Sequence, residues 1–264
     1  MQSIFSSSLF QGRSALITGG GTGIGFAIAQ ELGRLGAAVV LASRSEATLA
    51  AAANTLTSAG ISAQWRQVNV RCDDQVAQLF DEFSDAGQDI DILVNNAGGQ
   101  FAARAIDISP NGFRAVVDLN LTGTWLMSRA FARYLITRRL SGRIINIVLS
   151  IDGGAPGYVH AAAARAGVTN MTKTLALEWA QYGINVNAVA PGIIDTSGLL
   201  NYEPSQLTEA IAALPITRMG NASEVATCVA FLASSGGGYI TGETLFVDGG
   251  KHLSGKVGLS SGGM

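Results

Sequence analysis

The chain of 264 residues is 48% hydrophobic and 14% charged, with a formal net charge of −2. This length and hydrophobicity are enough to bury one large core, which favours a single α/β domain over residues 1–264. The small net charge without a basic run argues against nucleic acid as a partner. No apolar stretch reaches the roughly 18 residues that a membrane span needs.

Seven short runs rich in β-branched residues alternate with helical patterns along the chain. Strands that are apolar throughout are typical of a sheet buried on both faces, and the alternation is typical of a doubly wound parallel sheet. The predicted strands are residues 14–20, 38–43, 62–70, 91–98, 143–148, 184–191 and 243–250.

The first strand runs into a glycine-rich turn, TGGGTGIG at residues 18–25, that opens a helix. A pyrophosphate group needs backbone N–H groups at close range and the positive end of a helix, and glycine permits both the approach and the turn. A glycine cluster between the first strand and a helix therefore predicts a dinucleotide-binding domain.

Ser43 and Arg44 follow the second strand, where an NAD enzyme usually has an acidic residue for the ribose hydroxyls. The planar guanidinium of Arg44 suits a 2′-phosphate instead. The sequence therefore predicts NADPH/NADP+ as the cofactor rather than NADH.

Two further segments lie outside the regular alternation. Residues 197–217, between the sixth and seventh strands, are too apolar for a plain solvated loop and form either a substrate lid or a surface helix. Residues 251–264, rich in glycine and serine, are expected to be a C-terminal tail.

The cysteines and the termini indicate the compartment. Cys72 and Cys228 form no C-x-x-C pair and have no nearby histidine, so we expect reduced thiols and no metal site. The N-terminus lacks the pattern of a secretory signal, and the final residues SGGM are not a targeting address. A soluble cytoplasmic protein is expected.

Four motifs together resemble the short-chain dehydrogenase/reductase family: T-G-x-x-x-G-x-G at residues 18–25, NNAG at 95–98, DLNLTG at 118–123 and PGIIDT at 191–196. The resemblance covers about Gly12 to Gly250. It implies a single Rossmann-type domain with a seven-stranded parallel sheet of order 3-2-1-4-5-6-7 and helices on both faces.

The resemblance also implies which residues contact each part of the cofactor. Gly19, Thr22, Gly23, Ile24 and Gly25 would line the pyrophosphate, and Asn69 and Val70 would meet the adenine. Asn96, Ala97 and Gly98 would flank the adenosine ribose and the approach to the nicotinamide; Pro191, Gly192, Ile194 and Thr196 would hold its carboxamide.

The chain differs from the family at the catalytic positions. The usual active site is Asn, Ser, Tyr and Lys; here only Asn120 is retained, Arg165 takes the lysine position and Ala161 the tyrosine position. The serine position falls on Leu149 or Ser150. Alanine donates no proton and arginine is no proton relay, so ketone reduction, which must protonate an alkoxide, is disfavoured.

Reduction of a carbon–carbon double bond conjugated to a thioester avoids this problem, because the charge develops on the thioester oxygen as an enolate that needs hydrogen-bond donors. The segment VHAAAARAGV at residues 159–168 is similar to the peroxisomal trans-2-enoyl-CoA and 2,4-dienoyl-CoA reductases, which lack the usual tyrosine. We therefore expect an NADPH-dependent reductase of enoyl or dienoyl thioesters in fatty acid metabolism.

The predicted catalytic residues are Asn120, Ser150, Tyr158 and Arg165. Asn120 would orient a water or the thioester oxygen, and Arg165 would bind the nicotinamide ribose and place positive charge near the enolate. Tyr158 or Ser150 is the candidate enolate donor. His160 is either a proton donor or a helix-start histidine satisfied by the backbone.

Two alternatives stay open at this stage: a carbonyl or alcohol oxidoreductase with Tyr158 or Ser150 as the acid, and a non-catalytic family member that binds the cofactor. The resemblance also implies a homodimer through long helices at about 111–137 and 158–182. A second contact through residues 240–250 would give a homotetramer.

Overall fold

Each predicted apolar run forms a strand of one seven-stranded parallel sheet in the computed structural model of the protein. The structure describes residues 4–151, 154–196, 198 and 204–253. The strands are β1 (Ser14–Thr18), β2 (Ala38–Ser43), β3 (Ala63–Gln67), β4 (Ile92–Asn95), β5 (Gly142–Ile147), β6 (Ile184–Pro191) and β7 (Thr244–Val247). Their order is 3-2-1-4-5-6-7, which confirms the prediction.

Helices cover both faces of the sheet. They are α1 (Gly23–Arg34), α2 (Glu46–Ser58), α3 (Asp73–Asp85), α4 (Pro110–Val117), α5 (Gly123–Arg138), α6 (Val159–Trp179), α7 (Pro204–Ala212) and α8 (Ala222–Ala233). One buried cluster joins α1, α2 and α8 to the sheet, and a second joins α3, α5 and α6. Each fully buried aliphatic or aromatic side chain in these clusters contributes about 1.5–3 kcal/mol.

Strands β3 and β4 end earlier than predicted, because side chains take over the backbone donors that follow them. The Asn69 N–H donates to Gln75 Oε1 (2.9 Å). The N–H groups of Asn96 and Ala97 both donate to the side-chain Oγ1 of Thr18 (3.0 Å) rather than to a backbone carbonyl of the neighbouring strand β1. Both segments turn away at the carboxyl edge of the sheet, where ligands bind in open α/β sheets.

The helix predicted at 111–137 is interrupted by a π-helical turn over Asp118–Thr122, between α4 and α5. Asn120 lies in this turn and is fully buried. Its Nδ2 donates to the carbonyl oxygens of Val116 and Gly99, both at 2.8 Å. Such turns occur often at functional sites.

Helix α7 lies within the segment 197–217, of which residues 197 and 199–203 are outside the described residues. Whether α7 closes over a ligand stays a prediction. In the C-terminal segment, Lys251–Leu253 form a 3₁₀ turn, and residues 254–264 are outside the described part. None of the helices that the structure describes is long and apolar enough to cross a bilayer.

Candidate active site

Thr18 and Asn96 connect the glycine-rich turn to the loop after β4. Thr18 Oγ1 accepts the two N–H groups given above and donates to the Val94 carbonyl (3.3 Å). Asn96 Nδ2 donates to the carbonyl oxygens of Thr18 (3.0 Å) and Gly19 (3.1 Å). These hydrogen bonds therefore hold the two loops against each other. The sequence predicted Asn96 as a cofactor contact but gave no role to Thr18. The signal for Thr18 was a hydroxyl residue at the end of an apolar strand, and the structure shows that it is buried.

The glycine-rich turn leaves room for an anion at the start of α1. Gly19 has a φ of +64°, in the region that favours glycine. A Cβ on Gly25 would overlap the Gly19 carbonyl and lie 2.5 Å from Asn96 Nδ2. Within the described residues, Thr22 makes no side-chain cap at the start of α1, and the first turn carries no acid. A diphosphate fits these uncapped N–H groups.

A small cavity of about 130 Å³ adjoins this turn. It brings together predicted contacts from four segments, lined by Gly19, Ser43, Arg44, Val68, Asn69, Val70, Ala97, Gly98 and Leu119. Arg44 is exposed, and its carbonyl accepts a hydrogen bond from Gln67 Nε2 (2.8 Å). The shape and lining fit the adenosine end of a dinucleotide.

A larger cavity of about 480 Å³ lies on the other side of the loop after β4. Its lining contains the predicted residues Ile24, Asn96, Gly98, Tyr158, Arg165, Pro191, Gly192, Ile194 and Thr196. Apolar side chains, including Phe101, Ile147, Val148 and Leu149, form the rest of its wall. The two cavities share Gly98, so a molecule that spans both would pass this residue.

Arg165 is the buried cation of this larger cavity, with 6% of its surface exposed. Nη1 donates to the Ile147 carbonyl (2.6 Å), and Nε has no hydrogen-bond partner among the described residues. A Cβ on Gly98 would overlap Nη2 and lie 2.7 Å from Asn120 Oδ1. Desolvation by burial lowers the pKa of Arg165 to about 10.

Asn120 approaches Gly98 from the π-helical turn, as Arg165 does from α6, but the side-chain amide of Asn120 already makes hydrogen bonds within the protein. Its Nδ2 bonds to two carbonyls, as given above, and its Oδ1 accepts the Gly99 N–H (3.3 Å). Asn120 therefore fixes the backbone of Gly99, and its Oδ1 keeps a second lone pair for a further donor.

Ala161 lies one turn before Arg165 on α6 and is fully buried. Of the two serine alignments, the structure puts Leu149 in the cavity wall. Ser150 points elsewhere, since its Oγ donates to Asp248 Oδ2 at 2.5 Å. Ser150, predicted as a candidate donor, is therefore not positioned to act on a ligand in this cavity.

Tyr158 and His160 stand at the start of α6. Tyr158 is the N-cap residue, half-buried, and it lines the larger cavity. His160 is fully buried, and its Nδ1 accepts the Ala161 N–H (2.8 Å). The backbone thus satisfies one nitrogen of His160, and the other has no hydrogen-bond partner among the described residues.

Asp248 and His252 form a cluster that sequence reasoning missed. The side chain of Asp248 is 2% exposed; it accepts bonds from Ser150 Oγ, His252 Nδ1 (3.0 Å), and the N–H groups of His252 (2.8 Å) and Gly250 (3.0 Å). Desolvation raises the pKa of Asp248, but these hydrogen bonds outweigh it, and the net pKa is lowered. Among the described residues, no group of three His, Cys, Asp or Glu side chains could hold a metal ion.

A doubly wound sheet with a glycine-rich turn at the start of α1, and adjoining cavities at its carboxyl edge, is typical of the class of dinucleotide-binding proteins. The comparisons with known proteins narrow this class. A family model described as Enoyl-(Acyl carrier protein) reductase matches residues 19–252. The chain belongs to the short-chain dehydrogenase/reductase family, whose members are oxidoreductases that bind a nicotinamide cofactor.

Two curated relatives differ in the bond they reduce. A peroxisomal 2,4-dienoyl-CoA reductase of Arabidopsis thaliana is 37% identical, over 96% of this chain and 89% of its own length. A 3-oxoacyl-acyl-carrier-protein reductase of Pseudomonas aeruginosa is 39% identical, over 92% of this chain and 99% of its own. Overall identity therefore does not choose between the two reactions.

A solved structure shows the same architecture with a cofactor bound. The gluconate 5-dehydrogenase of Burkholderia cenocepacia, in complex with NADP and tartrate, is 35% identical with a TM-score of 0.86. The match covers 93% of this chain and 98% of that one.

Proposed function

We propose that the protein reduces the carbon–carbon double bond of an enoyl or dienoyl thioester with NADPH. One observation carries the proposal: Ala161 stands where the resemblance puts the family's tyrosine, Leu149 is the one of the two candidate serine positions that lines the cavity, and a buried cation, Arg165, lines the same cavity. Such a site lacks the usual acid for an alkoxide but offers positive charge to a developing enolate.

The residues around the two cavities fit a dinucleotide. The uncapped start of α1 would hold the diphosphate, and Asn69 and Val70 would flank the adenine. Arg44 would pair with a 2′-phosphate, which supports NADPH. Residues 191–196 would hold the nicotinamide ring. When bound, the cofactor supplies the hydride.

Arg165 and Tyr158 line one cavity and are the donors that we assign to the thioester oxygen. The Arg165 guanidinium contributes charge from a buried position, where electrostatic stabilisation is stronger than at the surface. Asn120, through its remaining lone pair, would orient a water. That water would deliver the proton to the α-carbon, a step that needs no side-chain acid at residue 161.

The apolar wall of the cavity supports an acyl chain as the substrate. Phe101 is 43% exposed and, with Leu149, offers apolar surface next to the buried cation. This combination fits a molecule that has one polar functional group at the end of a hydrocarbon chain.

The test is NADPH consumption with a series of trans-2-enoyl-CoA thioesters, run beside 3-oxoacyl-CoA and simple ketones, with products identified by mass. We expect saturated acyl-CoA and no turnover of ketones. Reduction of ketones alone would refute the proposal. Binding of NADPH without any turnover would favour a non-catalytic family member.

Carbonyl reduction is the second candidate function. It is favoured by the 39% identity to a 3-oxoacyl reductase and by Tyr158, the phenol that lines the cavity. In that case Tyr158 would be the acid, and Tyr158→Phe would abolish ketone turnover.

We also propose a homotetramer, or a homodimer, in the cytoplasm. Trp125 on α5 and Leu177 on α6 support pairing through these helices, since they are 40% and 84% exposed. Light scattering on the purified protein measures the oligomeric state. The cytoplasmic location is supported by the free thiols of Cys72 and Cys228.

A further inference from the structure

The two ring nitrogens of His160 differ in their hydrogen bonding within the described part of the chain. The ring is fully buried, and its Nδ1 accepts the N–H of Ala161 at 2.8 Å. A ring nitrogen that accepts a hydrogen bond bears no proton, so Nε2 is the nitrogen of this ring that can donate.

The Nε2 atom of His160 is buried and has no hydrogen-bond partner among the residues that the structure describes. Buried polar groups in folded proteins are almost always hydrogen-bonded, and an unmade bond of this kind destabilises the fold. An unused donor at such a position is therefore expected to have a partner in another state of the protein.

The ring of Phe101 lies against this histidine and also forms part of the larger cavity. The two rings pack edge to face, with centroids 4.5 Å apart and planes at 80°. Phe101 belongs to an irregular segment between β4 and α4, so its ring can turn without breaking a strand or a helix. Tyr158 and Arg165 line the same cavity.

We propose that His160 is a further substrate-binding residue: its Nε2–H donates to the thioester oxygen once the bound acyl chain has displaced the ring of Phe101. This inference rests on the proposed function. No proton leaves the imidazole; the ring stabilises negative charge on the oxygen as an oxyanion-hole donor does.

The first test is nuclear magnetic resonance on the full chain labelled with ¹⁵N-histidine. The chain has two histidines, so His160→Phe assigns both sets of signals. Hexanoyl-CoA is added to the protein saturated with NADP+, and its binding is measured by calorimetry. We expect the Nε2–H signal of His160 to move downfield while its Nδ1 signal stays unchanged.

An unchanged Nε2–H signal in the presence of bound hexanoyl-CoA would overturn the proposal for His160. Failure of hexanoyl-CoA to bind, together with no turnover of enoyl-CoA by the unaltered protein, would instead count against the proposed function. The two failures are therefore distinguishable.

The second test compares two variants. His160→Gln keeps a donor near the position of Nε2, and His160→Phe removes it. Both variants lose the Nδ1 acceptor of the Ala161 N–H, so both are expected to have a lower Tm and are assayed well below it. We expect His160→Phe to lower kcat for trans-2-hexenoyl-CoA by about 100-fold. The kcat of His160→Gln should stay within about 10-fold of that of the parent protein, because its amide donates from a slightly different position than Nε2. Equal loss in both variants, or no loss in His160→Phe, would contradict the proposal.

Discussion

The guanidinium of Arg165 fills the space that a side chain at Gly98 would need. A Cβ at residue 98 would overlap Nη2 of Arg165 and stand 2.7 Å from Asn120 Oδ1. Helix α6, the loop after β4 and the π-helical turn therefore meet at one glycine, and the position of the buried cation depends on it.

Gly98→Ala is expected to push Arg165 out of place. Arg165 has its own bond to Ile147 and little room to move, so we expect kcat/KM for an enoyl-CoA to fall by about 100-fold. Gly99→Ala is the matched control, because a Cβ there would meet only the end of a flexible side chain, Leu119 Cδ2, at 3.3 Å. Equal kcat/KM in the two variants would contradict this reading.

Arg165→Met is expected to raise Tm while abolishing turnover. Burial lowers the pKa of Arg165 to about 10, so the folded chain holds this proton less tightly than the unfolded chain. The penalty for burying the charge is fully present below pH 10, and it is relieved as the pH rises from there towards the unfolded value. Replacing the guanidinium by an apolar side chain removes the penalty at pH 7. Thermal unfolding and kcat are measured on the same sample; a lower Tm would mean that the bond to Ile147 outweighs the penalty.

Arg44→Ala should raise KM for NADPH by about 10- to 100-fold, the value of one charge-assisted hydrogen bond, and leave KM for NADH nearly unchanged. Arg34→Ala is the control, since Arg34 is an exposed arginine in the last turn of α1. A parallel rise in both KM values would show that Arg44 does not read the 2′-phosphate.

Restoring the family's acid–base set should create ketone reduction. The triple variant Leu149→Ser, Ala161→Tyr and Arg165→Lys returns a phenol and an amine to α6, one turn apart, beside a hydroxyl. We expect the variant to gain NADPH-dependent turnover of 3-oxoacyl-CoA, to lose turnover of enoyl-CoA, and the parent protein to show the opposite pattern. The same triple with Phe at residue 161 is the control and should reduce neither substrate.

Asp248→Asn is expected to destabilise the protein in a pH-dependent manner. The hydrogen bonds to Asp248 hold its folded pKa below the unfolded value, so its stabilisation is present above about pH 4 and is lost as the pH falls through the lower, folded value. Urea unfolding should show a deficit of about 1–3 kcal/mol at pH 7 that shrinks progressively below pH 4. A deficit that is independent of pH would assign the effect to packing alone.

Much of the lining of the two cavities was predictable because its signals in the sequence are local. The glycine turn, Ser43–Arg44 and the segment 95–98 each follow an apolar strand directly, and parallel strands bring their carboxyl ends to one edge. The seven strands and their order were predictable for the same reason. The errors lie at strand ends, including the two where Thr18 and Gln75 accept the backbone N–H groups that follow the strand.

The catalytic positions were less predictable because they depend on contacts between distant residues. Leu149 and Ser150 both follow β5, and the choice between them depends on Asp248, 98 residues after Ser150. The π-helical turn leaves almost no trace in the hydrophobic pattern, so a continuous helix was expected at 111–137. The unused nitrogen of His160 is equally invisible in sequence, since it is a property of what surrounds the ring.

The π-helical turn at Asp118–Thr122 constrains the number of residues between α4 and α5 more strongly than it constrains their identity. A π-helical turn holds one more residue than an α-helical turn, and that residue sets the direction in which Asn120 projects. Deleting one residue anywhere in the turn would allow a continuous α-helix and would leave the following residues on the same face, but it would change the direction in which Asn120 projects. Over evolutionary time, substitutions in this helix are therefore expected to be tolerated far more readily than insertions or deletions.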